Sequence, residues 1–161
     1  MAGGLKPKNP KSLHERALGL LAARPRSRHE MRMRLLRAGF AEEEVTEELG
    51  RLQSVGLLDD EEFARALAQQ AFGSKGSGCS AVRSALLAKG IARETAEEIT
   101  GEYAGGEEER AEELARARLR RLQGLDEATA YRRLSAFLVR RGYGFSTAGR
   151  AAGLALGRDE G

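Results

Sequence analysis

One pattern, apolar-apolar-x-x-Gly-apolar, occurs three times in this chain, as Leu35-Leu36-Arg37-Ala38-Gly39-Phe40, Leu86-Leu87-Ala88-Lys89-Gly90-Ile91 and Leu138-Val139-Arg140-Arg141-Gly142-Tyr143, at spacings of 51 and 52 residues. A helix that reaches a left-handed glycine must stop there, and the apolar residue that follows turns the chain back onto the core. A second apolar stripe at helical spacing comes next, Val45, Leu49 and Leu52 in the first copy and Ala96, Ile99 and Tyr103 in the second. This is helix-turn-helix geometry inside a three-helix unit. A unit of about 50 residues is near the lower limit for independent stability, so the three units are expected to support one another in an elongated array.

An all-α fold agrees with the composition. Only 5% of the residues are aromatic, Trp is absent, and the apolar content is mostly Ala and Leu, which does not suit strands. Nine short helices are expected, over 13–23, 27–38, 42–54, 60–72, 79–89, 93–104, 107–123, 127–141 and 146–156, in repeats spanning 13–56, 57–104 and 105–161. Residues 1–12 read as a flexible basic tail. Ser27 with Glu30 and Asp59 with Glu62 have capping-box spacing, and Leu58 with Phe63 has the spacing of a hydrophobic staple. Asp59, Asp60, Glu61 and Glu62 are therefore expected to serve a helix start rather than a metal. Gly73 to Gly78 reads as a loose linker, Gly105-Gly106 as the boundary between the second and third units, and the glycine-rich last helix as one that frays or depends on packing.

Several functional classes find no support. Cys79 is the single cysteine and His14 and His29 the only histidines, so neither an internal disulfide nor a zinc cluster is expected, and no cofactor or catalytic group is assigned. No apolar run approaches the length of a membrane span or a signal-peptide core, and a cytoplasmic, monomeric protein is the expectation.

The charge pattern says more than the net charge of +3. Up to Ala41 there are 10 Lys or Arg against Glu15 and Glu30, and from Leu114 to Arg141 there are 8 Arg against Asp126 and Glu127. Helical phase turns Arg34 and Arg37 away from the stripe of Met31, Leu35 and Ala38, and Arg116, Arg120, Arg133 and Arg140 away from the stripes of the third unit. The candidate partner- or DNA-binding residues are thus Arg24, Arg26, Arg28, Arg32, Arg34 and Arg37 in the first unit and Arg116, Arg120, Arg132, Arg133, Arg140 and Arg141 in the third. The aromatic residues fall mostly at turn corners or on apolar stripes, as core residues do; Tyr143 and Phe145, beside Arg140 and Arg141, are the ones placed to stack on a nucleic-acid base.

Arg24 to Met31, Leu35 to Gly39, Gly56-Leu57-Leu58-Asp59-Asp60-Glu61-Glu62-Phe63-Ala64, Leu86 to Ile91, Arg110-Ala111 and Phe137 to Tyr143 resemble the recurring elements of the RecX family, regulators of the bacterial RecA recombinase. The resemblance covers residues 13–145. It implies three tandem three-helix repeats in a curved molecule that lies along the RecA filament, suppresses its ATPase, strand-exchange and coprotease activities, and catalyses nothing itself. Weak, non-specific binding of single- or double-stranded DNA through phosphates is a further expectation. The alternative is a helix-turn-helix transcription regulator. Such a protein needs base-reading side chains at the start of the helix after each turn, where this chain has Glu42-Glu43-Glu44, Arg93-Glu94 and Ser146-Thr147.

Overall fold

The computed structural model describes residues 11–158, so the expected tail lies outside the described residues up to position 10. Among the described residues there are nine α-helices and no strand: α1 (Leu13–Ala23), α2 (Arg28–Arg37), α3 (Glu42–Ser54), α4 (Asp60–Gly73), α5 (Cys79–Ala88), α6 (Arg93–Tyr103), α7 (Glu107–Leu119), α8 (Glu127–Arg140) and α9 (Phe145–Ala155). A 3-10 turn, Ala104–Gly106, joins α6 to α7. No helix among these residues is long and apolar enough to cross a membrane. The chain divides between Phe63 and Ala64 into two compact units.

The three sequence repeats become three copies of one turn. Gly39, Gly90 and Gly142 have φ of 96°, 77° and 98°. The next residue's N–H donates back to the carbonyl of the first apolar residue each time: Phe40 to Leu35 at 3.3 Å, Ile91 to Leu86 at 3.1 Å and Tyr143 to Leu138 at 3.1 Å. These are Schellman caps, which satisfy carbonyls that the helix end leaves open.

In the first unit Ala17, Met31, Leu35, Val45, Leu49, Leu52 and Leu58 form a closed core drawn from α1, α2, α3 and the approach to α4. Ser12, assigned by sequence to the tail, is the N-cap of α1 and forms a full capping box with Glu15. Ser27 caps α2 through the Glu30 N–H at 3.2 Å. Asp59 accepts from the N–H groups of Glu61 and Glu62 at 3.0 and 3.1 Å, and Asp60 accepts from the N–H of Arg28 at 2.7 Å, so the paired aspartates serve two helix starts. Leu58 is buried, while Phe63 is only half-buried. Glu48 is a buried carboxylate inside this unit, held between His14 Nδ1 at 2.5 Å and an Arg51 guanidinium at 3.2 Å.

The second unit holds the third repeat and the second from Ala64 onward, and the junction of the two corrects the reading of 73–78 as a loose linker. The Gly78 N–H donates to the Arg141 carbonyl at 2.8 Å, the Ser77 N–H to the Ala71 carbonyl at 2.9 Å, and the Tyr143 hydroxyl to the Gly76 carbonyl at 2.8 Å. A Cβ on Gly78 would stand 2.4 Å from the Gly142 backbone, and one on Gly142 would stand 2.3 Å from Ala81 Cβ. Glycine is present here because two backbones touch. Alongside, Glu107 of α7 accepts from the Cys79 N–H at 3.1 Å and caps α5, whose own N-cap residue is the glycine Gly78. Arg110 donates to the Tyr103 carbonyl at 2.8 Å and lies over Phe72, which stacks on Tyr103 at 4.1 Å. Burial, and then Glu107, push the Cys79 thiol up to about 11.

Two helix boundaries differ from expectation in an informative way. α7 stops at Leu119, four residues early, because Arg121 and Leu122 bond three residues back and Gly124 takes φ of 88°. α9 keeps its glycines within a regular helix because Ala148, Ala151, Ala152 and Gly153 are buried and Gly149 faces the Tyr131 hydroxyl. Small side chains let α9 sit close to its neighbours, and packing replaces the missing propensity.

Candidate functional site

The structure divides the twelve expected contact arginines by what surrounds them. Arg26 is a correction: it is 7% exposed, its Nε donates to the Leu20 carbonyl at 3.1 Å, and it belongs to the interior of the first unit. Burial and the neighbouring Arg24 and Arg34 lower its pKa. Arg24 is paired with Glu30 at 2.8 Å, Arg32 with Glu42, and Arg116 with Glu112 one helical turn away at 3.1 Å. Arg28 meets the side-chain carbonyl of Gln53. Arg34 and Arg37, both exposed on α2, have no carboxylate within ion-pair distance among the described residues.

The second unit gathers the larger uncompensated set. Arg120, Arg132, Arg133, Arg140 and Arg141 have no carboxylate within ion-pair distance among the described residues, and neither do Arg118 and Arg121, which the sequence reading passed over. Both acids of the segment are already engaged. Asp126 caps α8 through the Thr129 N–H at 3.0 Å and its hydroxyl at 2.7 Å, bonds that hold its carboxyl below the usual range, and Glu127 pairs with Arg158 at 2.7 Å.

Shape adds to charge. Arg118 from α7 and Arg132, Arg133 and Arg140 from α8 line a cleft of about 530 Å³, with Thr129 on its wall. Arg118 is held by Phe137, whose ring centroid lies 4.8 Å from its guanidinium carbon, and Arg141 lies 5.6 Å from the same ring. The cation–π contact limits where Arg118 can point without neutralising it. Tyr143 is buried, its hydroxyl bonded and its pKa raised by burial, so it is unavailable to stack on a base. Phe145, at 85% exposure, is open.

A sequence signal for Arg118 existed. Arg116 has Glu112 four residues before it, a stabilising and neutralising spacing, whereas Arg118 has Leu114 and Ala115 at the two helical neighbour positions.

Comparison with known proteins gives this arrangement a lineage. Residues 14–52, 59–99 and 106–151 match the family models for the first, second and third three-helix domains of RecX. The chain is 40% identical over 134 residues to the Regulatory protein RecX of Amycolatopsis mediterranei, covering 83% of this chain and 77% of that protein. It is 42% identical over 132 residues to that of Mycobacterium tuberculosis, covering 79% and 76%. In fold it matches the crystal structure of RecX from Lactobacillus salivarius with a TM-score of 0.78 at 19% identity, over 89% of this chain and 94% of that one. Three consecutive domain matches, in the order of the three glycine turns, and relatives of this similarity over most of their length place the chain in the RecX family of regulatory proteins.

Proposed function

We propose that this chain binds the RecA nucleoprotein filament and restrains it, inhibiting ATP hydrolysis, strand exchange and coprotease activity, and thereby modulates recombination, DNA repair and the SOS response in the cytoplasm. The observation that carries this reading is membership of a family of regulatory proteins across all three repeats. The protein acts by occupancy, as a monomer and without chemistry of its own. Arg34 and Arg37 in the first unit and the arginines of α7 and α8 in the second supply separate anion contacts on one chain. Once one contact forms, linkage raises the effective concentration for the next, so weak sites add up to firm attachment.

The test is the DNA-dependent ATPase of RecA with the full chain present at several-fold excess, together with cosedimentation on filaments. Inhibition is expected. Reversing Arg34 and Arg37, or Arg133 and Arg140, to Glu should weaken cosedimentation while changing stability by only about 0.5 kcal/mol or less, as exposed substitutions do. Unchanged ATP hydrolysis and strand exchange in the presence of the wild-type chain would falsify the proposal.

A further inference from the structure

The α7–α8 cleft has a property that a solvated basic face lacks: its cations are gathered in a concavity, and among the described residues no carboxylate lies within ion-pair distance of them. Arg118, Arg132, Arg133 and Arg140 converge from two helices; Asp126, the cap of α8, offsets part of the Arg132 charge, and Glu127 pairs with Arg158. Elsewhere on the same unit the rule is neutralisation, as with Arg65 and Glu102 at 3.0 Å or Arg150 and Glu108 at 2.7 Å. Four like charges in one cleft repel one another until an anion enters. One of these side chains is also partly ordered in advance, because the Arg118 guanidinium lies over the Phe137 ring.

The lining decides between an acidic protein and a phosphate chain. Protein interfaces centre on buried apolar anchors and are depleted of charge at the core, and the apolar lining here is limited to Leu122 and Ala136. A planar guanidinium presents a fork of donors matched to phosphate oxygens, and four of them line this cleft. Arg133 and Arg140 are seven residues apart on α8, about 10 Å along the helix axis. The arginines at its two ends are too far apart to hold one phosphate group, so the cleft suits several phosphates in a row.

We propose that this cleft is a phosphate-binding site taking two or three adjoining phosphate groups, presented by a single nucleic-acid strand or by a free polyphosphate chain. The proposal rests on the reading of the α7 and α8 arginines as contact residues and adds what they hold.

Fluorescence anisotropy of a short labelled oligothymidylate with the full chain, titrated against salt and competed with inorganic tripolyphosphate, tests it. Wild type binds the oligonucleotide with a log–log salt slope of about −2, as three single-strand phosphate contacts require. Arg133→Ala with Arg140→Ala weakens binding about tenfold or more and flattens the slope by about 1.4. The Lys pair at the same positions keeps the slope and loses affinity, because charge remains and the fork does not. Arg65→Ala, which removes a cation of the same unit that is paired with Glu102 and lies outside the cleft, leaves this binding within about twofold. Displacement of the oligonucleotide by tripolyphosphate at lower concentration than by unlabelled strand identifies a free polyphosphate as the ligand; the reverse order identifies the strand, and either supports the site. A double Ala variant of native helicity that binds as wild type does, or a wild-type chain that binds neither probe at low salt, overturns it. Inhibition of RecA without phosphate binding removes this site and leaves the regulator; phosphate binding without any effect on RecA does the opposite.

Discussion

Alanine at Gly142 should be the most damaging small substitution in the protein, and the structure separates its cost into two parts measurable at other positions. Gly39 has the same left-handed backbone, φ 96° against 98°, and a Cβ there would meet nothing within 4 Å. Gly39→Ala therefore isolates the conformational cost of a left-handed alanine, about 1–2 kcal/mol. Gly78 has an ordinary φ of −82°, yet its Cβ would stand 2.4 Å from the Gly142 carbonyl group. Gly78→Ala therefore isolates the contact cost, about 1–3 kcal/mol for overpacking. Gly142→Ala incurs both, because its Cβ would stand 2.3 Å from Ala81 Cβ and 2.6 Å from the Ala81 nitrogen, and backbone atoms cannot swing aside as a long side chain can. A loss of about 2–5 kcal/mol is expected. Urea unfolding of the full chain, followed by helical circular dichroism, measures all three variants. A loss at Gly142 no greater than at Gly39 would refute the claim that the two backbones touch.

Three further outcomes are expected. Phe63→Ala should cost about 2 kcal/mol, below the roughly 3–5 of a fully buried ring, since Phe63 is half-buried; a melting curve identical to wild type would put the ring in solvent. Asp59→Ala should cost about 1 kcal/mol through the lost α4 cap, and an equal effect from Asp59→Asn would show that charge, not capping, is responsible. Cys79 alkylation should accelerate about tenfold per pH unit past pH 9, because a thiol pushed up to about 11 is still mostly protonated there; a plateau near pH 9 contradicts its burial beside Glu107.

What the sequence made legible was local. The three glycine turns, the caps at Ser27 and Asp59, and most helix limits depend on residues within a few positions of one another, and the structure has them as read. What depended on distant partners was hidden. Arg32 is neutralised by Glu42 and Arg65 by Glu102, pairings at separations that no helical period announces. Arg26 looked like its neighbours and is buried, because its Nε answers a carbonyl at the end of α1. Gly78 looked like linker because glycine marks both slack chain and the tightest contact. The arginine surplus on α7 and α8 was visible as a scarcity of acid, but the cleft was not, since its walls come from helices that cross only in the folded unit.

The Gly78 and Arg141 contact bears on how the protein is made. Its two ends are separated by 63 residues, as the numbering shows, whereas most contacts in a helical repeat are local and form quickly. On the ribosome, α4 to α6 are synthesised before residues 141–143 exist. At about 5–20 residues per second, the 39 residues between Ala104 and Tyr143 take about 2–8 s to synthesise. For that interval the second repeat carries an unfilled seam where Tyr143 and Gly142 will seat. A chain halted between these points presents that seam to chaperones and proteases, while the first unit, whose core closes by Leu58, has everything it needs.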